Sequence, residues 1–554
     1  MTSPRRHHLS RRDFFGVSAA AALTPVVFPH ALTSAQAAVE PPPAGAPPRT
    51  VQPPTLGELE RIARRHYMDL SPKEVEEYHT LIGGFLGAFR RLDQFNEPRL
   101  PVKYPRDGGY RPAAKENPHN AWYWKCTIKG APTGKLAGKT VAIKDTTCIA
   151  GVPMMNGSSV LEGYVPDQDA TIVTRILDAG GTILGKSVCE HFCFSGSSYL
   201  TDLGPVTNPH DPKRSAGGSS SGSAALLVSK TVDLATGGDQ GGSIRIPAAW
   251  SGCVGLKPSY GLVPYTGVFP IEITVDHVGP MARTVEDCAL MLEAIAGPDG
   301  LDPRQDRGQL KNQEYRKALT GDAKGIKVGI VKEGFALPGA SQPEVDSLVR
   351  QGAQRLKDVG AQVSDLSLPM HLESGAIAFG TYAEGALALM IDGNGMGTNW
   401  QGHYMTQLQA YFAQARRTRA NNFSPAVKLV ILLGQYLQDN YRGRYYSKSR
   451  NCTRLLVQAY DEALQQADVL VMPTTPMVAT ELPPPDAGIS TIIGHIWGML
   501  QNTTATNLTG HPSISVPCGT ARGLPVGMMI VGRYGDDATV LRAAHAVERL
   551  VAKG

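Results

Sequence analysis

Apolar residues recur along this chain in two rhythms. Near the start they fall at helical spacing. Leu56, Leu59, Ile62 and Ala63 follow Thr55, and Val75, Tyr78, Ile82, Phe85, Leu86 and Phe89 follow Ser71-Pro72-Lys73-Glu74. A Ser ahead of such a run, with Pro at the first helical position and Glu at the third, marks a helix start. Two amphipathic helices are therefore expected over 55–97, ending near Pro98. From Lys139 the texture changes to short β-branched runs: Thr140-Val141-Ala142-Ile143, Gly181-Thr182-Ile183-Leu184-Gly185, Ile326 to Val331 and Ala467 to Pro473. Helical stretches such as Ala170 to Ala179 separate them. Alternation of this kind predicts an α/β fold whose strands are buried between layers of helices.

The ends of this pattern set the expected organisation. Residues 38–54 are rich in Pro and Ala and read as an extended linker, and 55–97 as a helical extension. Residues 366–465 are helix-rich, carry Gly393 to Gly397, and are expected to form a small inserted domain. The core is then expected to comprise 98–365 and 466–554. Ahead of all this, Ser10-Arg11-Arg12-Asp13-Phe14-Phe15 precedes a short apolar run and an Ala35-Gln36-Ala37 cleavage pattern. That is the layout of a twin-arginine signal over 1–37, which places the mature chain in the periplasm or outside the cell. The apolar run is shorter than the roughly 20 residues a spanning helix needs, so no stable membrane insertion is expected.

Composition changes this picture little. At 42% apolar and 19% charged residues, with 60 glycines, the 554-residue chain is an ordinary globular one with a sizeable core. Its formal net charge of +5 falls to +2 once the four arginines and Asp13 of the signal are set aside. A near-neutral protein lacks the electrostatic footprint of a nucleic-acid binder. Eight cysteines in so long a chain are too few for a disulfide framework, and reduced, packed thiols are expected.

The candidate chemistry lies in two glycine-serine turns. The first is Ala216-Gly217-Gly218-Ser219-Ser220-Ser221-Gly222-Ser223. The second is Gly237-Gly238-Asp239-Gln240-Gly241-Gly242-Ser243-Ile244-Arg245-Ile246-Pro247. Glycine admits close backbone approach and positive φ, so each turn can present a hydroxyl among several N–H groups. The Gly-Lys-Ser/Thr ending of a phosphate loop is missing.

Together with Val141-Ala142-Ile143-Lys144-Asp145, the Leu256 to Pro264 segment and the Gly510-His511-Pro512 tail, this pattern resembles the amidase signature family from about Lys139 to Val551. Within it the chain is similar to bacterial amidases encoded beside nitrile hydratases, whose helical extension and Asp392-Gly393-Asn394-Gly395 segment it shares. The resemblance implies a large mixed sheet covered by helices. It implies Ser243 as nucleophile, Ser219 as proton relay after a cis peptide bond, and Lys144 as base. A lysine takes a proton only as the neutral amine, which burial favours, so a burial site is expected around Lys144. Consecutive N–H groups of Gln240, Gly241, Gly242 and Ser243 are expected to receive the oxyanion. Asp239 and Arg245 are expected to hold that loop, and Phe194 and Ser220 to touch substrate.

The implied reaction is hydrolysis of a small-molecule amide to carboxylate and ammonia through an acyl-enzyme, with no cofactor. A homodimer is expected through the apolar faces of the N-terminal helices. Exported peptide amidases, aryl acylamidases and esterases would use the same three residues. An amidotransferase of the A-subunit type fits an exported chain poorly, and an inactive binding protein would not need Lys144, Ser219 and Ser243 intact. Cys189-Glu190-His191-Phe192-Cys193 offers soft metal ligands, but no second cluster has usable spacing, so no metal is expected. A Ser-His-Asp hydrolase is also disfavoured, since Ser243 lies between Gly242 and Ile244 and not in a Gly-x-Ser-x-Gly elbow.

Overall fold

The helix starts read from the sequence are capped as expected in a computed structural model that describes residues 50–305, 310 and 312–552. The signal and the linker up to residue 49 lie outside the described residues. Thr55 and Glu58 form a reciprocal capping box for helix α1 (Leu56–Arg65), and Ser71 and Glu74 form one for helix α2 (Pro72–Leu92). These boxes satisfy N–H groups that the first helical turn leaves without partners. The two helices pack chiefly on each other. Tyr78, Leu81, Phe85, Phe89 and Leu92 of α2 remain exposed, Phe85 at 69%.

Eleven strands form one mixed sheet. In spatial order they are Trp122–Lys129, Thr182–Ser187, Thr140–Lys144, Leu234–Asp239, His277–Ala282, Val254–Lys257, Ser513–Ala521, Leu524–Gly532, Val469–Pro473, Lys327–Val331 and Gln362–Leu366. Thr140–Lys144 runs parallel to both of its neighbours, whereas Leu234–Asp239 meets His277–Ala282 antiparallel along its whole length. Every residue of Leu234–Asp239 is buried, and its two polar side chains, Thr236 and Asp239, find partners within the protein.

Residues 367–468 contain helices and no strand, the longest being Pro425–Tyr441 and Arg444–Gln466. These helices share one compact unit with the sheet. The stretch Pro369–Asp392 is apolar and long enough to cross a membrane by composition, but 56% of its most apolar window is buried inside the fold. It packs there against Pro425–Tyr441 and Arg444–Gln466 as a core helix. The eight cysteines are all free thiols, seven of them buried.

The C-terminal helix, Asp537–Val551, is tied to the loop after Val254–Lys257. The Asp537 carboxylate accepts from the Ser259 N–H at 3.0 Å and its hydroxyl at 2.6 Å, and the Lys257 ammonium lies deep beside them, donating to the His511 carbonyl at 2.7 Å. Burial pushes the Asp537 carboxyl up to about 6, against the pull of the Ser259 bonds and the Lys257 charge. The folded chain then keeps this proton where the unfolded chain has lost it, so stability falls as pH rises from about 4 through about 6. Denaturant titrations between pH 4 and 7 should show Asp537→Asn flattening that decline by up to about 3 kcal/mol.

Candidate active site

Three elements bring the candidate residues together. Lys144 is the last residue of its strand and is 1% exposed. Its N–H is held by the Thr236 hydroxyl at 2.9 Å, which fixes the backbone from which the side chain leaves the sheet. The side-chain nitrogen lies 2.7 Å from Ser219 Oγ and 3.2 Å from the Gly238 carbonyl oxygen. The Gly218–Ser219 peptide bond is cis.

Ser219 and Ser220 lead directly into the helix Ser221–Val228. The Ser220 hydroxyl does not cap that helix. It donates to the Gly238 carbonyl and accepts from the Gly238 N–H, both at 3.2 Å, while the Ser220 N–H donates to the Ser243 carbonyl at 3.2 Å. Ser220 therefore staples the two glycine-serine turns together. Its hydroxyl is thus engaged within the scaffold, and Ser220 is not among the residues that line the cavity beside Ser243.

Ser243 lies in the loop between Leu234–Asp239 and the buried helix Arg245–Ser251. It lines a small cavity of about 40 Å³ together with Gln240, Gly241, Cys193 and Phe194. Gly242 has φ +141°, and a Cβ there would come within 2.3 Å of Thr503 Oγ1, so only glycine fits this bend.

Asp239 and Arg245 form an ion pair with both side chains wholly buried. Arg245 Nε and Nη2 reach the two carboxylate oxygens at 3.0 and 2.9 Å, a forked geometry. The same carboxylate accepts from the Ile244 N–H at 3.0 Å and from Asn507 Nδ2 at 2.9 Å. Arg245 also donates to Thr506 Oγ1 at 2.7 Å and Asn507 Oδ1 at 2.8 Å. Burial would raise the Asp239 carboxyl, but Arg245 and these donors outweigh it and hold the group well below the usual carboxylate range. Removing one partner of such a pair costs about 3–5 kcal/mol, since the other charge stays buried.

Several residues at the site carry no local sequence signal. Tyr382, on the helix Ser374–Ala386, donates its hydroxyl to the Gln240 carbonyl at 2.5 Å, and Thr503 donates to the Gly241 carbonyl at 2.5 Å. With those carbonyls turned outward, the N–H groups of Gly241, Gly242 and Ser243 meet no protein acceptor among the described residues. Gln240 Nε2 donates to the Tyr265 hydroxyl at 3.0 Å.

Cys189, His191 and Cys193 do not converge. Both thiols face Asn156 Oδ1, at 3.4 and 3.8 Å, while His191 Nε2 accepts from the Ser424 N–H at 3.2 Å. Among the described residues no group of three or more His, Cys, Asp or Glu is placed to hold a metal ion.

The family model described as Amidase matches residues 110–541. An enantioselective amidase of Rhodococcus rhodochrous is 44% identical over 504 residues, covering 90% of this chain and 96% of that protein. The A subunit of glutamyl-tRNA(Gln) amidotransferase from Thermotoga maritima superposes with a TM-score of 0.64 at 28% identity, covering 78% of this chain and 88% of its own. Native peptide amidase from Stenotrophomonas maltophilia superposes with a TM-score of 0.62 at 28% identity, covering 76% and 84%. A buried lysine bonded to one serine, a second serine on a glycine loop, and matches over most of both sequence and fold make the chain a member of the amidase signature family, a hydrolase of amide bonds.

Proposed function

We propose that the protein hydrolyses a small carboxylic amide to carboxylate and ammonia, with Ser243 as nucleophile, Ser219 as proton relay and Lys144 as base. The observation that carries this reading is the 2.7 Å contact between the buried Lys144 nitrogen and Ser219 Oγ. A neutral amine has two N–H bonds and one lone pair. Donation to the Gly238 carbonyl occupies one N–H and turns the lone pair toward Ser219.

Ser219 then gives its proton to Lys144 as it takes one from Ser243, and Ser243 Oγ attacks the amide carbon. The N–H groups of Gln240, Gly241, Gly242 and Ser243 receive the developing oxyanion. The bonds from Tyr382 and Thr503 fix the peptide planes that carry the Gly241 and Gly242 N–H groups, so little reorganisation of these two is needed as charge develops. As the tetrahedral species collapses, the proton returns through Ser219 to the departing nitrogen, and water repeats the sequence on the acyl-enzyme. Asp239 and Arg245 hold the loop and touch no reacting atom.

The exposed apolar stripe of α2 supports a homodimer, because leaving Leu81, Phe85 and Phe89 in water forgoes the burial that a second copy would supply. The paired arginines at 11 and 12 support export to the periplasm or beyond.

Ser243→Ala should abolish turnover of every amide and leave the melting temperature unchanged. Lys144→Ala should lower amide turnover by roughly 10²–10⁴-fold and ester turnover much less, because an alkoxide leaves without the proton that an amine requires. Equal losses on both substrate types in steady-state assays would contradict the relay. Leu81→Glu with Phe85→Glu should convert a dimer to a monomer in sedimentation velocity while activity per chain persists. Arg11→Lys with Arg12→Lys should strand the protein in the cytoplasm, read by fractionation.

A further inference from the structure

Glu190 lies in the stretch 189–193, directly after the strand Thr182–Ser187 and Val188-Cys189, and its side chain is wholly buried. The partners of its carboxylate carry no charge. The Leu200 N–H reaches both oxygens, at 3.0 and 3.2 Å, and the Ser197 hydroxyl donates to Oε2 at 3.3 Å. A neutral side chain would be cheaper to bury than a carboxylate held by such donors alone, so this one calls for a use.

Those bonds close the loop from Ser195 to Leu200 back onto Glu190. Within the loop the Ser195 and Ser197 hydroxyls stand 2.5 Å apart, and the Ser197 N–H donates to Ser195 Oγ at 2.9 Å. The loop then meets the first glycine-serine turn, where the Gly218 N–H donates to the Gly196 carbonyl at 2.9 Å. A Cβ on Gly218 would lie 1.7 Å from the Ser197 carbonyl oxygen and 3.0 Å from Glu190 Cγ, so loop, turn and Glu190 touch with no room for a side chain between them. On the far side of the same turn the Glu190 N–H donates to the Ser219 carbonyl at 3.1 Å. Glu190 thus grips Ser219 twice, directly at its carbonyl and, through the loop, at the N–H of the residue before it.

The grip matters because the relay tolerates little displacement. Lys144 is held separately, by Thr236 on the sheet, so its 2.7 Å distance to Ser219 Oγ is set by where the turn places Ser219. A misplacement of about 1 Å can cost on the order of 10²-fold in rate. Glu190 does not line the cavity beside Ser243, so it acts on the turn and not on substrate.

Resting on the proposed roles of Lys144, Ser219 and Ser243, we propose that Glu190 is a positioning residue for the proton relay, its backbone N–H and its carboxylate together fixing the peptide groups on either side of Ser219.

The carboxylate's share can be tested alone, because the backbone bond to Ser219 survives a change of side chain. Glu190→Gln keeps the shape but leaves one accepting oxygen and turns an NH₂ group toward donors. Burial pushes the Glu190 carboxyl up to about 7 against the pull of its hydroxyl and N–H donors, so assays at about pH 8.5 keep the wild-type group ionised. Wild type, Glu190→Gln, Lys144→Ala and the double variant are to be compared on a primary amide and on the 4-nitrophenyl ester of the same acid, with circular dichroism to establish folding.

Glu190→Gln should lower amide kcat at least tenfold with KM within threefold, and should lower ester kcat less. In the Lys144→Ala background, where the relay is already lost, it should change amide kcat by less than twofold, since residues that act through one another are not additive. Should Glu190→Gln fail to fold, Ser197→Ala takes its place in the same cycle. It removes one donor to the carboxylate, and should lower amide kcat about threefold in wild type and not at all beside Lys144→Ala. A substitution that leaves amide kcat within twofold of wild type, raises KM alone, or acts by the same factor in both backgrounds overturns the positioning role while the serine chemistry stands. If Ser243→Ala retains activity, or Lys144→Ala lowers amide and ester alike, the catalytic reading itself falls and the role of Glu190 with it.

Discussion

Everything at this site depends on a lysine side chain kept out of water. Lys144 sits at the end of a central strand with its nitrogen between a serine hydroxyl and a backbone carbonyl, and among the described residues no carboxylate is bonded to it. A different buried lysine shows the contrast. Lys186 lies in the neighbouring strand with an Asp145 oxygen at 3.0 Å, and its nitrogen donates to the Thr147 carbonyl at 2.6 Å. Two buried lysines on adjacent strands thus differ in whether a carboxylate stands opposite.

The rest of the scaffold keeps two turns in register around that nitrogen. Ser220 ties one turn to the other through Gly238 and Ser243, and the Asp239–Arg245 pair locks the second turn to the Thr504–Thr509 helix through Thr506 and Asn507. Each bond replaces water that the buried groups have lost, so the network is satisfied from within and its geometry is fixed before substrate arrives.

The chain made some of this legible and concealed the remainder for physical reasons. Lys144, Ser219 and Ser243 were named through the resemblance of the motifs around them to the amidase signature, and the fold brings the Lys144 nitrogen to 2.7 Å from Ser219 Oγ. The capped starts of α1 and α2 were readable from a local signal, a Thr or Ser three residues ahead of a Glu. Tyr382 and Thr503 were not, since they reach the oxyanion loop from 142 and 262 residues away and sit in segments with no unusual composition. Ser220 shows the other limit: nothing in its position next to Ser219 announces that its hydroxyl is bonded to both polar groups of Gly238. The antiparallel pairing of His277–Ala282 on Leu234–Asp239 was likewise hidden, because fully buried strands read alike whichever way they run.

Tyr382 is engaged in two directions. Its ring walls the cavity of about 40 Å³ beside Ser243 and a neighbouring, mainly apolar one of about 240 Å³, while its hydroxyl holds the peptide plane between Gln240 and Gly241. Displacing this phenol would tilt the Gly241 amide that shares that plane. The larger cavity can therefore be recarved without disturbing that amide only by substitutions that leave this one tyrosine where it is.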